Sequence, residues 1–305
     1  MRKCDETIQI IAKMNIRDVK AFHIQRIFNS LRNQYSDSTL KLYKSGVSAM
    51  FKDAMISELI TTNPAGPAVK LPKSTVKKNK SEKVLTVEEQ RIFEKMFLKS
   101  SYGSVYRLVL QTGLRVGEVC GLRWQDVDLG NGVLHVRQQS QASAYRSPAR
   151  KRGEPIITTP KTETSIRDIP LTKAAVQILR EQKSKSFTQI IVIEYRDYVF
   201  HSLEGNLYTT STLNKALKQI AKKAELSPIS MHTLRHTFAT RCLEAGMKPK
   251  VLQEILGHAD ISTTMNTYTH VLEDERVKEI EKLDQLYSNW CKNGASGADQ
   301  VSEGA

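Results

Sequence analysis

Between Ser230 and Tyr268 the chain reads SMHTLRHTFATRCLEAGMKPKVLQEILGHADISTTMNTY, and four of its side chains can act on an anion: His232, Arg235, His258 and Tyr268. His232 and Arg235 stand three residues apart at helical spacing, which puts an imidazole and a guanidinium on one face of a helix. That pair can grip a phosphate. A phosphodiester carries one negative charge and approaches two in its transition state, so forked arginine donors and an imidazole N–H bind it more tightly as reaction proceeds. A tyrosine hydroxyl can attack phosphorus covalently where neighbouring positive charge favours the phenolate, since a free phenol has a pKa of about 10. The leaving oxygen then needs a proton donor. These residue types suit cleavage of a phosphodiester without a metal or other cofactor.

The elements that must position these groups follow from pattern. Thr233, Leu234, Phe238, Ala239, Cys242 and Leu243 supply the apolar remainder of the first helix, and Gly246 is its stop. Lys250 to Leu256 forms a short amphipathic helix ended by Gly257, so His258 sits just past a helix end. Asp260 or Ser262 caps a last short helix that leads to Tyr268. Upstream, an apolar helix over Tyr106–Gln111 is broken by Thr112 and Gly113, and TGLRVGEVCGLRWQDVDL follows. Arg115 opens the next helix there, where backbone N–H groups and a guanidinium can face one phosphate. Glu118, one turn on, is placed to orient an arginine. Thr86 and Glu89 have the spacing of a reciprocal helix cap.

From Val133 the period drops to two, and Val133–Arg137, Ile156–Thr159 and Ser165–Ile169 have strand patterns, the last two flanking the turn PKTETS. The two strands are expected to pair as a hairpin with Lys161 at its tip, where a mobile ammonium could serve as an acid. A basic stretch, AYRSPARKRGE, separates the first strand from the second. A helix over Thr172–Lys183, a strand-like run at Ile190–Ile193, and a helix over about Thr210–Ala224 follow.

The amino-terminal part is helical throughout. Ile16, Val19, Phe22 and His23 lead into Ile24, Ile27, Phe28 and Leu31, and a longer helix capped by Asp37 or Ser38 carries Leu40, Tyr43, Val47, Met50, Phe51, Ala54 and Met55 on its apolar face. Lys41, Lys44 and Lys52 line its polar face. Pro64, Pro67 and Pro72, with six lysines between Lys70 and Lys83, mark an extended basic connector suited to lie along a phosphate backbone.

Composition agrees. Lys plus Arg number 46 against 32 Asp plus Glu in 305 residues, a formal charge of +14, which favours a polyanionic partner. Nucleic acid is expected before membrane, because there is no basic amphipathic helix with a large apolar face and no apolar run of spanning length. Cys4, Cys120, Cys242 and Cys291 are far apart and form no C-x-x-C pair, which argues against a zinc site or a disulfide framework and fits a reducing cytoplasm.

In the order Arg115, Lys161, His232, Arg235, His258, Tyr268 the chain resembles the tyrosine recombinase (phage integrase) family, most like integrases of phages and conjugative transposons. TGLRVGEVCGLRWQDVDL, PKTETSIRDIPL, HTLRHTFAT and LGHADISTTMNTYTHV carry the resemblance, which runs from Ile16 to Val271. It implies a mainly α fold with a small β-sheet (α+β): a helical SAM-like core-type DNA-binding domain at 1–63, a basic linker at 64–83, a mixed α/β catalytic domain at 84–272, a docking helix at 273–292 and a disordered tail at 293–305. It further implies that Arg115 and Arg235 clamp the scissile phosphate, that His232 and His258 assist by hydrogen bonding and proton transfer, and that Lys161 protonates the leaving 5′ oxygen. Tyr268 is then the nucleophile that forms a 3′-phosphotyrosyl link, and Glu118 supports the first arginine. The implied partners are double-stranded DNA at attachment or crossover sites, three further protomers in a tetramer on two such sites, and an accessory directionality factor. Integrases of this subgroup carry an arm-binding domain before the helical one, whereas the bundle here is short at its amino end. A simple recombinase, a truncated integrase or an internal-start product is therefore expected. The alternatives are a type IB topoisomerase and a catalytically impaired DNA-binding relic.

Overall fold

The computed structural model describes residues 11–76, 84–98, 100–143, 154–160, 163–186 and 191–267, with Ile280. Lys161, Tyr268, the basic stretch 144–153, the lysines between 77 and 83, and the expected docking helix apart from Ile280 lie outside the described residues. The chain divides into two compact units, Met1–Ser81 and Glu82–Ala305.

The first unit holds a 3-10 turn at Ile16–Asp18, helix α1 (Ala21–Leu31) and helix α2 (Asp37–Ile56). The stretch expected as one helix from Ile16 is thus two pieces, with Val19 and Lys20 extended between them and Val19 buried. The cap of α2 is Ser36, whose hydroxyl accepts the Thr39 N–H, rather than Asp37 or Ser38. Only part of the expected apolar face of α2 is covered: Leu40, Phe51 and Ala54 are buried, whereas Tyr43, Met50 and Met55 are exposed. Two helices cannot enclose so wide a stripe.

What completes this small core is chain expected as linker. Ala65 and Val69 are buried against Phe28, Leu40 and their neighbours. The segment is tied down by the Gln25 amide, which donates to Lys70 O and accepts Lys70 N–H, and by Ser74, whose N–H donates to the Asp37 carboxylate. Proline excludes helix at 64–72 but not packing: the segment meets its backbone polar groups with side chains of α1 and α2. Lys41, Lys44 and Lys52 line one shallow cavity on α2, with Lys44 Nζ donating to Val69 O.

The second unit contains helices α3 (Val87–Phe97), α4 (Gly103–Thr112), α5 (Val116–Cys120), α6 (Lys173–Ser186), α7 (Thr210–Lys223), α8 (Met231–Glu244), α9 (Pro249–Leu256) and α10 (Ile261–Thr267). Its strands are β1 (Val127–Asp128), β2 (Val133–Val136), β3 (Gln139–Ala142), β4 (Pro155–Thr158) and β5 (Arg167–Pro170). This is an α+β fold, mostly helical with small antiparallel sheets. α4 is apolar on nearly every side, with Val105, Tyr106, Leu108, Val109 and Leu110 buried, so it packs against α8 and α6 at once. The Thr86 hydroxyl and the Glu89 carboxylate cap α3 reciprocally, as their spacing predicts.

The strand pairing differs from expectation. The two strands flanking PKTETS do not pair with each other: β5 pairs with β2, in a three-stranded sheet ordered β1-β2-β5, and β4 pairs with β3 in a separate two-stranded sheet. A 3-10 turn at Glu163–Ser165 lies just before β5. β3, with sequence QSQA, has no alternating pattern to announce it. Of the run expected as a strand at Ile190–Ile193, Ile190 lies outside the described residues, and the remainder leads instead into a 3-10 turn at Ile193–Tyr195, with Ile193 exposed.

Gly113 and Gly246 follow α4 and α8 with φ of +65° and +82°. A Cβ on Gly113 would lie 2.5 Å from Phe238 Cδ1, whereas one on Gly246 would meet nothing within 4 Å. Gly246→Ala should therefore cost only the left-handed backbone penalty, about 1–2 kcal/mol. Gly113→Ala adds overpacking of about 1–3 kcal/mol. Urea unfolding of the two variants isolates that steric part as their difference.

Candidate phosphate-binding site

Three segments of the second unit meet around Arg115, Arg235 and His258. Arg115 is the N-cap residue of α5, reached through the left-handed turn at Gly113. Its backbone N–H does not project from the helix start, as the sequence suggests, because Glu118 folds back to take it at 2.8 Å. The Arg115 guanidinium is held at both ends: one nitrogen donates to Glu118 Oε1 at 2.8 Å and the other to Gly257 O at 2.7 Å. A third of the side chain remains exposed, at 33 %.

Arg235 lies on the inward face of α8 and is only 4 % exposed. Its guanidinium donates to Gly113 O and to Leu256 O, each at 2.7 Å, and to His258 Nε2 at 2.9 Å. His258 follows the left-handed Gly257 at the end of α9. Its own backbone is fixed by Gln253, whose O accepts the His258 N–H at 3.1 Å and whose amide donates to His258 O at 3.0 Å. Because a guanidinium can only donate, His258 Nε2 must accept, and the ring proton sits on Nδ1. Nδ1 then donates to Thr264 Oγ1 on α10 at 2.9 Å.

The imidazole that touches Arg235 therefore comes from a distant turn. His232, expected to share the Arg235 face, is exposed on the first turn of α8, its ring centroid 6.3 Å from that of His236. Three residues of helix separate two side chains by about 60° around the axis, enough to divide a buried position from an exposed one. Asp260 caps α10 as expected, accepting the Ser262 N–H at 2.8 Å. Lys161 and Tyr268, the remaining expected residues, lie outside the described residues.

One participant was missed at the level of sequence. Arg167, at the start of β5, donates from two nitrogens to the two oxygens of Glu118, each at 2.9 Å. It also donates from Nε to Ile255 O at 2.5 Å and from a terminal nitrogen to Ser165 O at 3.1 Å. β5 alternates buried and exposed, so Arg167 faces inward with Ile169. An arginine in the inward register of a strand was the available signal. Burial pushes the Glu118 carboxyl up, but the hydrogen bonds and charge of Arg167, with the charge of Arg115, outweigh it and hold the pKa at about 2. Burial, then the charges of Arg235 and Arg115, lower His258 to about 4, so its imidazole is neutral near pH 7. No cluster of side chains suited to hold a metal ion occurs among the described residues.

Both shifts give stability a pH dependence of the same sign in different windows. An unfolded imidazole binds its proton near 6.5 and the folded His258 only near 4, so the unfolded state holds more protons between them, and stability falls as pH drops through that range. Glu118 acts likewise between 4.5 and about 2. Thermal melts across pH 2–7 should show His258→Gln flattening the upper window alone and Glu118→Gln the lower window alone. Glu118→Gln should also cost about 3–5 kcal/mol at neutral pH, by leaving buried Arg167 without its counter-ion.

Comparison with known proteins places this geometry in context. The phage integrase family matches residues 77–275. A tyrosine recombinase XerC-like protein of Caldanaerobacter subterraneus subsp. tengcongensis is 30 % identical over 285 residues, covering 90 % of this chain and 73 % of that protein. The transposase from transposon Tn916 of Enterococcus faecalis is 29 % identical, covering 83 % of this chain but only 63 % of its own length. Among solved structures, the Tn1549 transposon integrase in complex with transposon right end DNA superimposes with a TM-score of 0.69 at 25 % identity, covering 92 % of this chain and 91 % of that one. A lambda integrase dimer bound to a core site shares the fold at a TM-score of 0.58 and 21 % identity, covering 86 % of this chain and 69 % of that one. Among the described residues no helix is long and apolar enough to cross a membrane. The chain belongs to the phage integrase family, the tyrosine recombinases, whose members are site-specific DNA strand transferases.

Proposed function

We propose that this protein is the integrase of a mobile element of conjugative-transposon type, cleaving and rejoining double-stranded DNA through a 3′-phosphotyrosyl intermediate. The observation that carries the reading is the convergence of Arg115, Arg235 and His258, from three separated segments, on one partly open site. Arg115 and Arg235 bind the non-bridging oxygens of the scissile phosphate and strengthen those bonds as charge accumulates. The Tyr268 oxygen attacks phosphorus and forms a new P–O bond while the bond to the 5′ oxygen breaks. His232 and His258 assist by hydrogen bonding and proton transfer. Lys161 delivers a proton to the leaving 5′ oxygen. Covalent reach supports the nucleophile: four residues of chain span at most about 14 Å, and Tyr268 is four positions beyond Thr264, which bonds His258.

Because the phosphotyrosyl ester conserves the bond, a 5′ hydroxyl from a second duplex can reverse the step and exchange strands without a metal or ATP. A tetramer on two DNA sites, and a directionality factor that biases integration against excision, complete the reading. A nicked duplex carrying the element's own junction sequence should give a covalent adduct with the wild-type chain. Tyr268→Phe should abolish that adduct, and Arg235→Ala should lower its rate by about 100-fold or more. No adduct with junction DNA would overturn the reading.

A further inference from the structure

Arg167 cannot reach a substrate anion. Its side chain is 6 % exposed, and every nitrogen of its guanidinium already donates, to Glu118, Ser165 and Ile255. Gly257 packs closely against it, so that a Cβ added there would lie 3.0 Å from Arg167 Cδ. What it changes is the charge balance of the site. Glu118 is buried and ionised, and it is bonded at once to Arg167 through both oxygens and to Arg115 through one guanidinium nitrogen. With Arg115 as its sole partner, Glu118 would cancel the positive charge of the more exposed arginine. With Arg167 present, one carboxylate is shared by two guanidiniums, and the surplus lies on the side where Arg115 is open to solvent.

We propose that Arg167 is a positioning residue for strand cleavage that acts through charge: by serving as the bidentate counter-ion of Glu118, it leaves Arg115 electrostatically available to the scissile phosphate. The inference rests on the reading of Arg115 as a phosphate ligand. It separates two roles of Glu118 that otherwise conflict, since the carboxylate must hold Arg115 in place by hydrogen bonds without neutralising it.

The test compares two nicked duplexes of the same junction sequence, one with an ordinary scissile phosphodiester and one with a methylphosphonate, which has the same shape but no charge. Adduct formation is followed in single turnover, and the readout is the ratio of the two rates. A role in folding alone lowers both rates together. The charge role lowers cleavage of the phosphodiester selectively, so Arg167→Met should shift the ratio toward the neutral substrate by about 10- to 100-fold. Arg167→Lys, which keeps the charge but not the fork, and the double variant Glu118→Gln/Arg167→Met, which removes both buried charges, should each keep the ratio within about threefold of wild type. Equal loss on both substrates in Arg167→Met overturns the inference while leaving the recombinase reading intact. No adduct from the wild-type chain overturns both. Should Arg167→Met fail to fold, the double variant decides: a wild-type ratio supports the inference, and a tenfold shift toward the methylphosphonate overturns it.

Discussion

A carboxylate removed from water costs several kcal/mol unless other groups replace its hydration, and Glu118 has been removed almost completely. Four hydrogen bonds replace that water: two from Arg167, one from the Arg115 guanidinium and one from the Arg115 backbone. Each donor belongs to a different structural obligation. The backbone N–H is an unpaired donor at the start of α5, the Arg115 guanidinium reaches on to the end of α9, and Arg167 brings the edge of the three-stranded sheet. Removing the carboxylate would loosen α5 from the sheet and from α9 together. The position of the partly exposed arginine thus follows from a buried ion pair that has no access to the substrate.

Much of this was legible in sequence, and the limits of that legibility are physical. Helix ends were readable where glycine alone suffices: Gly113 and Gly257 adopt the left-handed conformation that a side chain resists, and both lead directly into residues of the site. The i,i+3 spacing of Arg115 and Glu118 was readable because a helix start makes that contact local. Arg167 was not, because its partner lies 49 residues away and a strand register says only that a side chain points inward. The same blindness produced the wrong hairpin. Chain proximity favoured pairing the strands around PKTETS, whereas β5 found its partner across more than thirty residues, in register with His135 and Leu134. Helical spacing likewise pointed to His232 beside Arg235, whereas the imidazole bonded to the buried guanidinium is that of His258, from beyond Gly257, and His232 is exposed.

The amino-terminal unit shows the converse case, in which composition was read correctly and its consequence was not. Proline and lysine do keep 64–76 out of helix, yet a segment without regular structure can still complete a core. Ala65 and Val69 bury what α1 and α2 alone would leave open, while the backbone N–H groups of Ala65, Lys70 and Ser74 are answered by Asn63, Gln25 and Asp37. An unstructured linker would have left those side chains and the apolar face of α1 facing water.

The manner in which the arginines are held also bears on what the site can bind. Arg235 donates to Gly113 O and Leu256 O, Arg115 to Gly257 O, and Arg167 to Ile255 O. All four carbonyls lie at the ends of α4 and α9, where the last turn has no N–H to offer them and the helix dipole makes them partly negative. Such carbonyls satisfy guanidinium donors and fix their direction, but they carry no net charge. Had carboxylates done the same work, each arginine would have been neutralised as it was positioned. Helix ends orient the cations, a single shared carboxylate sets their spacing, and desolvation keeps His258 uncharged among them. Three guanidiniums against one carboxylate leave this cluster positive before any substrate arrives, with its geometry already formed. For a phosphodiester whose charge grows during reaction, that is the arrangement in which binding strengthens towards the transition state.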